Sequence, residues 1–220
     1  MKRLFDLVVS SCALIFLSPL LVAIALAVRV SGPGPALYRG VRVGRNGREF
    51  TILKFRSMRT EPQAMSEITI HADPRVTAIG RLLRASKLDE LPQLWNVIRG
   101  EMSLVGPRPE APRYVAAYTT EQREVLSVRP GVTGLAQIYF RHEERLLRGS
   151  HPERYYQTTV MPAKLEIDRY YARHHSFWVD LKIIALTVVA LFRPLTPPQK
   201  PPFTVLAMAD SASQEPYPVS

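Results

Sequence analysis

The sequence predicts a mostly α-helical α+β protein: a re-entrant N-terminal membrane helix-break-helix, followed by a small membrane-associated domain containing a β-hairpin. Three observations carry that expectation. Apolar residues run from Leu4 to Val30, interrupted near the middle by Ser18-Pro19. An Asn46-Gly47 pair, a strong two-residue turn signal, divides the segment Leu37 to Phe55. Helix-sized stretches set off by proline and glycine fill most of the remainder. With 220 residues, 46% hydrophobic and 22% charged, the chain can bury one sizeable core and is not a disordered sequence.

Proline at position 19 removes a backbone donor and clashes with the preceding turn, so the apolar run divides there. Leu4 to Leu17 and Leu20 to Val30 would reach roughly 21 and 16 Å, each short of a ~30 Å hydrocarbon core. Cations flank both ends: Lys2 and Arg3 before, then Arg29, Arg39, Arg42, Arg45 and Arg48 after. The positive-inside rule draws both ends to the cytoplasm. A re-entrant hairpin meets both conditions, with the Ser18 hydroxyl able to bond a carbonyl freed by the break. A proline-kinked span and a cleaved signal peptide are the alternatives. The spacing Ala25-Leu26-Ala27 suits the latter, but the apolar run exceeds the usual signal core.

The breaker run Ser31-Gly32-Pro33-Gly34-Pro35 ends the membrane element. In the hairpin that follows, a two-residue turn would set Val43 opposite Phe50, Val41 opposite Ile52 and Arg39 opposite Lys54. Opposed cations repel, so either an anion lies between the last pair or both side chains splay into solvent. Glu61 to Pro74 reads as a polar loop, Val76 to Arg84 as a short basic helix, and Lys87 to Ile98 as a second helix. Ser103 to Val105 reads as a strand, Gly106 to Pro109 as a turn, and Glu110 to Ser127 as helix. Pro162 to His174 is expected to be a helix burying Leu165, Ile167 and Tyr170. The apolar stretch Ser176 to Phe192, interrupted by Asp180 and Lys182, suits a docked or surface-lying helix. From Pro194 onward seven of 27 residues are proline, which predicts a disordered tail. The organisation is therefore 1–31 membrane hairpin, 32–193 domain with membrane-associated helices, and 194–220 tail.

Charge narrows the function. Twenty-nine Lys+Arg against 19 Asp+Glu gives +10, which calls for an anionic partner. No recognition helix or aromatic-interleaved basic surface is evident, so nucleic acid is not expected. The lone Cys12 excludes an internal disulfide and a thiolate metal cluster. Ser86-Lys87-Leu88-Asp89-Glu90-Leu91-Pro92-Gln93 is the most informative stretch. Ser86 has capping-box spacing to Asp89, which would place Asp89 and Glu90 in a first turn where the dipole favours ionised carboxylates. Acidic residues are common there for that reason alone. The functional reading is a carboxylate nucleophile beside a Mg²⁺ ligand. Like charges 4 Å apart cost roughly 4 kcal/mol at an effective dielectric near 20, so attack on a diphosphate needs nearby cations. Arg84 precedes the dyad and Arg108, held between prolines, follows it.

Further motifs occur in a set order: Lys2-Arg3 with Asp6, Ser18-Pro19, Arg42-x-Gly44-x-x-Gly47-x-x-Phe50, Lys54-Phe55-Arg56-Ser57-Met58 and Asp73-Pro74-Arg75-Val76-Thr77. After the Asp89-Glu90 stretch come Met102-Ser103-Leu104-Val105-Gly106-Pro107-Arg108-Pro109, then Pro130-Gly131-Val132-Thr133-Gly134-Leu135-Ala136-Gln137. Asp168-x-x-Tyr171 and Asp180-Leu181-Lys182-Ile183 close the series. Together they resemble the monotopic polyprenyl-phosphate phosphoglycosyl transferases, the bacterial sugar transferase family, over about residues 1 to 193.

That resemblance implies a break at Ser18 and Pro19 and an active site on the cytoplasmic face of the bacterial inner membrane. It implies Asp89 as nucleophile, Glu90 as its acidic partner, both near Mg²⁺, and Arg108 as a phosphate ligand, with Lys54 and Arg84 as further active-site cations. The implied reaction moves a sugar 1-phosphate from a UDP-sugar to polyprenyl (undecaprenyl) phosphate through an aspartyl-phosphosugar, releasing UMP and initiating lipid-linked glycan assembly. One departure stands out. After Gln137 the family often has Gly-Arg-Asn, where this chain has Ile138-Tyr139-Phe140-Arg141, and the segment to Thr159 also differs. A membrane-anchored nucleic-acid-binding protein and a basic membrane scaffold without chemistry are the rival classes.

Overall fold

The computed structural model describes residues 1–59, 69, 73–141, 143–147 and 151–192. Most of the expected loop at Glu61 to Pro74, and the whole expected tail 194–220, lie outside them.

Two helices open the chain, α1 (Lys2–Phe16) and α2 (Ser18–Val30), bent by 64° at Leu17. The bend has a local cause. Pro19 has no N–H to offer Ile15 O, and the Ser18 hydroxyl donates to that carbonyl instead, at 2.7 Å. No single helix is long and apolar enough to cross a membrane, whereas the bent pair passes that test by length and composition.

β1 (Leu37–Val43) and β2 (Glu49–Phe55) form the expected antiparallel hairpin, but in another register. Asn46 and Gly47 both take positive φ, as the turn signal requires. Arg45 joins them in the loop, and the Gly44 amide donates to Arg48 O at 2.8 Å. That extra residue moves every pair by one, so Arg39 stands opposite Leu53 and Lys54 opposite Tyr38. The expected Arg39–Lys54 pair does not form. Turn chemistry identified the bend but not the number of residues in it.

α3 (Ala78–Ser86) is capped by Thr77, whose hydroxyl oxygen accepts from the Gly80 amide at 2.9 Å. A Cβ at Gly80 would fall 1.9 Å from Ser57 O, so only glycine lets α3 approach the end of the hairpin this closely. Ser86 is not an N-cap. It ends α3, and its hydroxyl donates backward to Leu82 O (2.8 Å) and Leu83 O (3.2 Å). Lys87 then takes a left-handed conformation, a tight 3₁₀ turn holds Leu88–Glu90, and α4 (Gln93–Arg99) begins only after Pro92. The single helix expected from Lys87 to Ile98 is therefore two pieces, since proline sits where a continuous helix would need its donor. Asn96 fastens α4 to β2: its side chain accepts from the Leu53 amide (3.1 Å) and donates to Thr51 O (2.7 Å).

β3 (Ser103–Val105) pairs in parallel with β4 (Gly131–Thr133), a strand not expected from the sequence. Between them, α5 (Pro112–Ala116) and a 3₁₀ turn, Gln122–Ser127, replace the one helix expected over Glu110 to Ser127. α6 (Leu135–Tyr139) and α7 (Pro152–Tyr155) follow. A π-helical turn, Tyr156–Val160, runs into α8 (Met161–His174), and α9 (Phe177–Phe192) completes the described chain. On α8, Leu165 and Ile167 are buried as expected; Tyr171 is buried in place of Tyr170, which is 42% exposed.

α1 faces the domain with its polar side. Arg3 donates to Val97 O (2.6 Å) and Ile98 O (2.9 Å), satisfying carbonyls at the end of α4. Asp6 accepts from Ser103 Oγ (2.8 Å) and the Leu104 amide (3.3 Å). Lys2 pairs with Asp180 and donates to Val105 O, and the Tyr171 hydroxyl lies 2.6 Å from Asp180 Oδ1. Outward, α1 and α2 present Leu4, Val8, Ile15, Phe16, Val22 and Leu26. The usual arrangement of a soluble protein is inverted here.

Candidate active site

Five side chains singled out from the sequence meet on one cavity of about 1010 Å³: Lys54, Arg84, Asp89, Glu90 and Arg108. They arrive on four separate pieces of local structure. Lys54 comes from β2, which Asn96 locks to α4. Asp89 and Glu90 come from the 3₁₀ turn that the left-handed Lys87 launches from the end of α3, where Arg84 lies. Arg108 follows β3 in a turn flanked by Pro107 and Pro109. There Gly106 approaches β4 so closely that a Cβ on it would lie 2.3 Å from Arg129 O. Ser18 and Pro19 are elsewhere, at the break between α1 and α2.

Glu90 is the electrostatic hub. Its Oε1 accepts from Lys54 Nζ at 2.9 Å and from Arg108 Nη2 at 3.1 Å. Burial disfavours its charge, but Lys54 and Arg108 win and hold it far below the usual carboxylate range. Arg108 is held firmly cationic by Glu90 in return, while burial pulls the Lys54 ammonium below its ordinary value. Asp89 behaves oppositely. Burial, then the neighbouring Glu90 charge, raise its pKa, and Lys54, Arg84 and Lys87 only partly offset them. The expectation that a helix dipole keeps Asp89 ionised is thus corrected: its turn is only three residues long, Leu88–Glu90, and burial dominates. Its Oδ1 is buried without a hydrogen-bond donor among the described residues.

An orphaned buried carboxylate oxygen beside a second carboxylate suits a hard divalent cation. Among the described residues no three His, Cys, Asp or Glu converge in a metal-holding group. Mg²⁺ does not need one, because it keeps waters and commonly takes one or two carboxylates plus substrate phosphates. The Asp89 and Glu90 donor set fits that ion.

Four cavity residues escaped the sequence reading. Lys164 of α8 donates to Glu143 Oε2 (2.8 Å), and Tyr156 of the π-helical turn donates to Glu110 Oε1 (2.5 Å). Lys164 also lies 3.4 Å from Glu110 Oε1. They come from four separate segments, so no local spacing could have grouped them. The one available signal was that Glu143 and Tyr156 fall in the segment that departs from the family pattern. Behind them Asp168 is buried, and burial pushes its carboxyl up to about 7 despite Lys164.

The chain matches the family model for bacterial sugar transferases over residues 1–194. It is 42% identical over 199 residues to the undecaprenyl-phosphate glucose phosphotransferase of Komagataeibacter xylinus, covering 85% of this chain and 35% of that protein. It is 41% identical over 194 residues to the UDP-glucose:undecaprenyl-phosphate glucose-1-phosphate transferase of Caulobacter vibrioides, covering 86% of this chain and 69% of the relative. The exopolysaccharide production protein PSS of Rhizobium leguminosarum bv. phaseoli is 40% identical over 202 residues, with 86% and 94% covered. The chain thus spans little more than a third of the first of these relatives and nearly all of the last. With a family match across all the described residues, and the candidate site residues gathered on one cavity, the chain belongs to the bacterial sugar transferase family.

Proposed function

We propose that this protein transfers a sugar 1-phosphate from a UDP-sugar to undecaprenyl phosphate at the cytoplasmic face of the inner membrane, releasing UMP. The observation that carries the reading is Asp89, a buried carboxylate with an unsatisfied oxygen, set in a cavity among Lys54, Arg84 and Arg108. The relatives named above supply the substrate class, with UDP-glucose the first to test.

In the first step an Asp89 oxygen attacks the β-phosphorus, and the bond from that phosphorus to the bridging oxygen breaks. UMP departs with the bridging oxygen, leaving an aspartyl-phosphosugar. In the second, an oxygen of undecaprenyl phosphate attacks the same phosphorus and the Asp89 carboxylate leaves. The split is covalent catalysis, and it lets a soluble and a lipid substrate use one site in turn. Arg108 and Lys54 hold phosphoryl oxygens and offset the charge that builds as the anionic nucleophile approaches. Glu90, kept ionised by those same cations, fixes their positions and is unsuited to act as a general acid. A Mg²⁺ ion held by Asp89 and Glu90 would neutralise diphosphate oxygens and ease UMP departure. The outward apolar faces of α1 and α2 support insertion in lipid, where the second substrate resides.

The test uses enzyme and UDP-sugar in equal amounts with Mg²⁺ and no lipid. UMP should appear up to one per active site, and rapid quenching should trap a sugar-phosphate adduct on Asp89. Release of UDP would reject the reaction class. Strictly lipid-dependent UMP release without an adduct would reject the covalent step.

A further inference from the structure

Two charged clusters line the cavity, and Arg108 acts on both. In the first, Glu90 is bonded by Lys54 and Arg108, with the Arg84 charge acting on neighbouring Asp89. In the second, Glu110 and Glu143 share Lys164, Tyr156 bonds Glu110, and Arg108 and Lys87 act on Glu143 without a hydrogen bond. The first cluster, richer in cations, suits phosphates; the second offers carboxylate acceptors.

That second cluster presents acceptors in a fixed form. Lys164 holds Glu143 through Oε2, and Tyr156 holds Glu110 through Oε1. Glu143 Oε1 and Glu110 Oε2 accept no hydrogen bond from the described residues. A carboxylate with one oxygen tied down and the other open is a preorganised acceptor for hydroxyl donors. Tyr156 opens the π-helical turn, an irregularity frequently found at functional sites. As a purely structural device the cluster would be a poor choice, because buried ion pairs seldom outperform apolar packing.

We infer that Glu110 and Glu143 form the subsite that reads the sugar hydroxyls of the nucleotide sugar, with Tyr156 and Lys164 as positioning residues that aim them. The inference rests on the proposed UDP-sugar reaction, and places the sugar at Glu110 and Glu143 and the diphosphate at Lys54, Arg84 and Arg108. The segment carrying Glu143 and Tyr156 departs from the family pattern, as a specificity element would.

The experiment is a cycle between protein and substrate. Glu110→Gln, Glu143→Gln and Tyr156→Phe are assayed with the accepted UDP-hexose and with its 2-, 3-, 4- and 6-deoxy analogues. Inhibition by UMP, which carries no sugar, is measured in parallel. Each Gln variant should lose about 10- to 100-fold in kcat/KM on the parent sugar. It should lose little on the one analogue lacking the hydroxyl it reads, and UMP inhibition should stay unchanged. Tyr156→Phe keeps the packing of the ring and should show the Glu110 pattern in weaker form. Equal losses on all analogues, or UMP inhibition weakened in parallel, would overturn the subsite while leaving the reaction class intact. Wild-type protein that turns over no UDP-hexose would instead overturn the reaction reading on which it rests.

Discussion

Asp89 and Glu90 are adjacent in sequence yet pushed in opposite directions by their surroundings, the usual mark of a carboxylate pair with divided roles. Replacing Asp89 by Asn keeps shape and burial but removes the proposed nucleophile, so turnover should fall at least ~10³-fold in protein that still folds. Retention of more than a few per cent of activity would remove Asp89 from the mechanism. The same environment sets a pH dependence. Without a bound cation the pKa of Asp89 lies above the ordinary 3.8. Titrated in Mg²⁺-free protein, the Asp89 carboxyl should therefore protonate above pH 3.8, and an ordinary or lower value would contradict the raised pKa. Asp89, Glu90 and Arg108 could be singled out because they sit in stretches that resemble the family's motifs, and the structure adds that they line one cavity. Glu110, Glu143, Tyr156 and Lys164 could not, since only tertiary folding brings them together.

At the scale of elements, most helices and the hairpin were legible from apolar spacing and turn residues. Their interruptions and registers depended on one residue more or less. Arg45 entering the loop shifted the whole hairpin, and Pro92 divided a helix whose apolar face reads as continuous. Nor did spacing reveal β4, whose three residues gain their partner only when the chain returns beside β3. The N-terminal cations show a related limit. Read as flanking charges, Lys2 and Arg3 orient a membrane segment; in the fold they also dock α1 onto α4, β3 and α9. Asp180 is nearly buried and Lys2 partly exposed, so breaking the pair should cost about 1–3 kcal/mol, less than a fully buried one. Thermal melts of Lys2→Ala, Asp180→Asn and the double variant in detergent test this, with a coupling energy above ~0.5 kcal/mol expected. Simple additivity would mean the bridge contributes nothing.

For the whole molecule, the decisive relation is that one domain holds both ends of the bent helix pair. At the start, Lys2 and Arg3 bond to backbone of β3 and α4. At the finish, buried Arg56, just past β2, donates to Val28 O (2.8 Å) and Gly32 O (2.7 Å) and bonds Pro33 O. A straight helix from Lys2 to Val30 would separate those ends by about 43 Å, enough to cross a bilayer and too far for these contacts. The 64° bend, with Ser18 taking the carbonyl that Pro19 cannot serve, lets one domain hold both ends. Exposed Trp178 and Leu186 of α9 add to the apolar surface available to lipid. The expected topology is therefore re-entrant, with both ends on the cytoplasmic side. To measure it, the exposed Cys12 is first changed to Ser, and single cysteines are then placed at Met1 and Gly32. Gly32 suits the purpose because a Cβ there meets nothing within 4 Å. An impermeant thiol reagent should label both from the cytoplasmic side alone; labelling of the two from opposite sides would establish a span. Pro19→Ala restores the missing donor to Ile15 O and lets the helix run on, at the expense of one set of end contacts. It should thus shift part of the population to opposite-side labelling and lower turnover in proportion, while molecules that keep both ends cytoplasmic retain full activity. Loss of activity with unchanged labelling would place the role of Pro19 in local packing and not in topology.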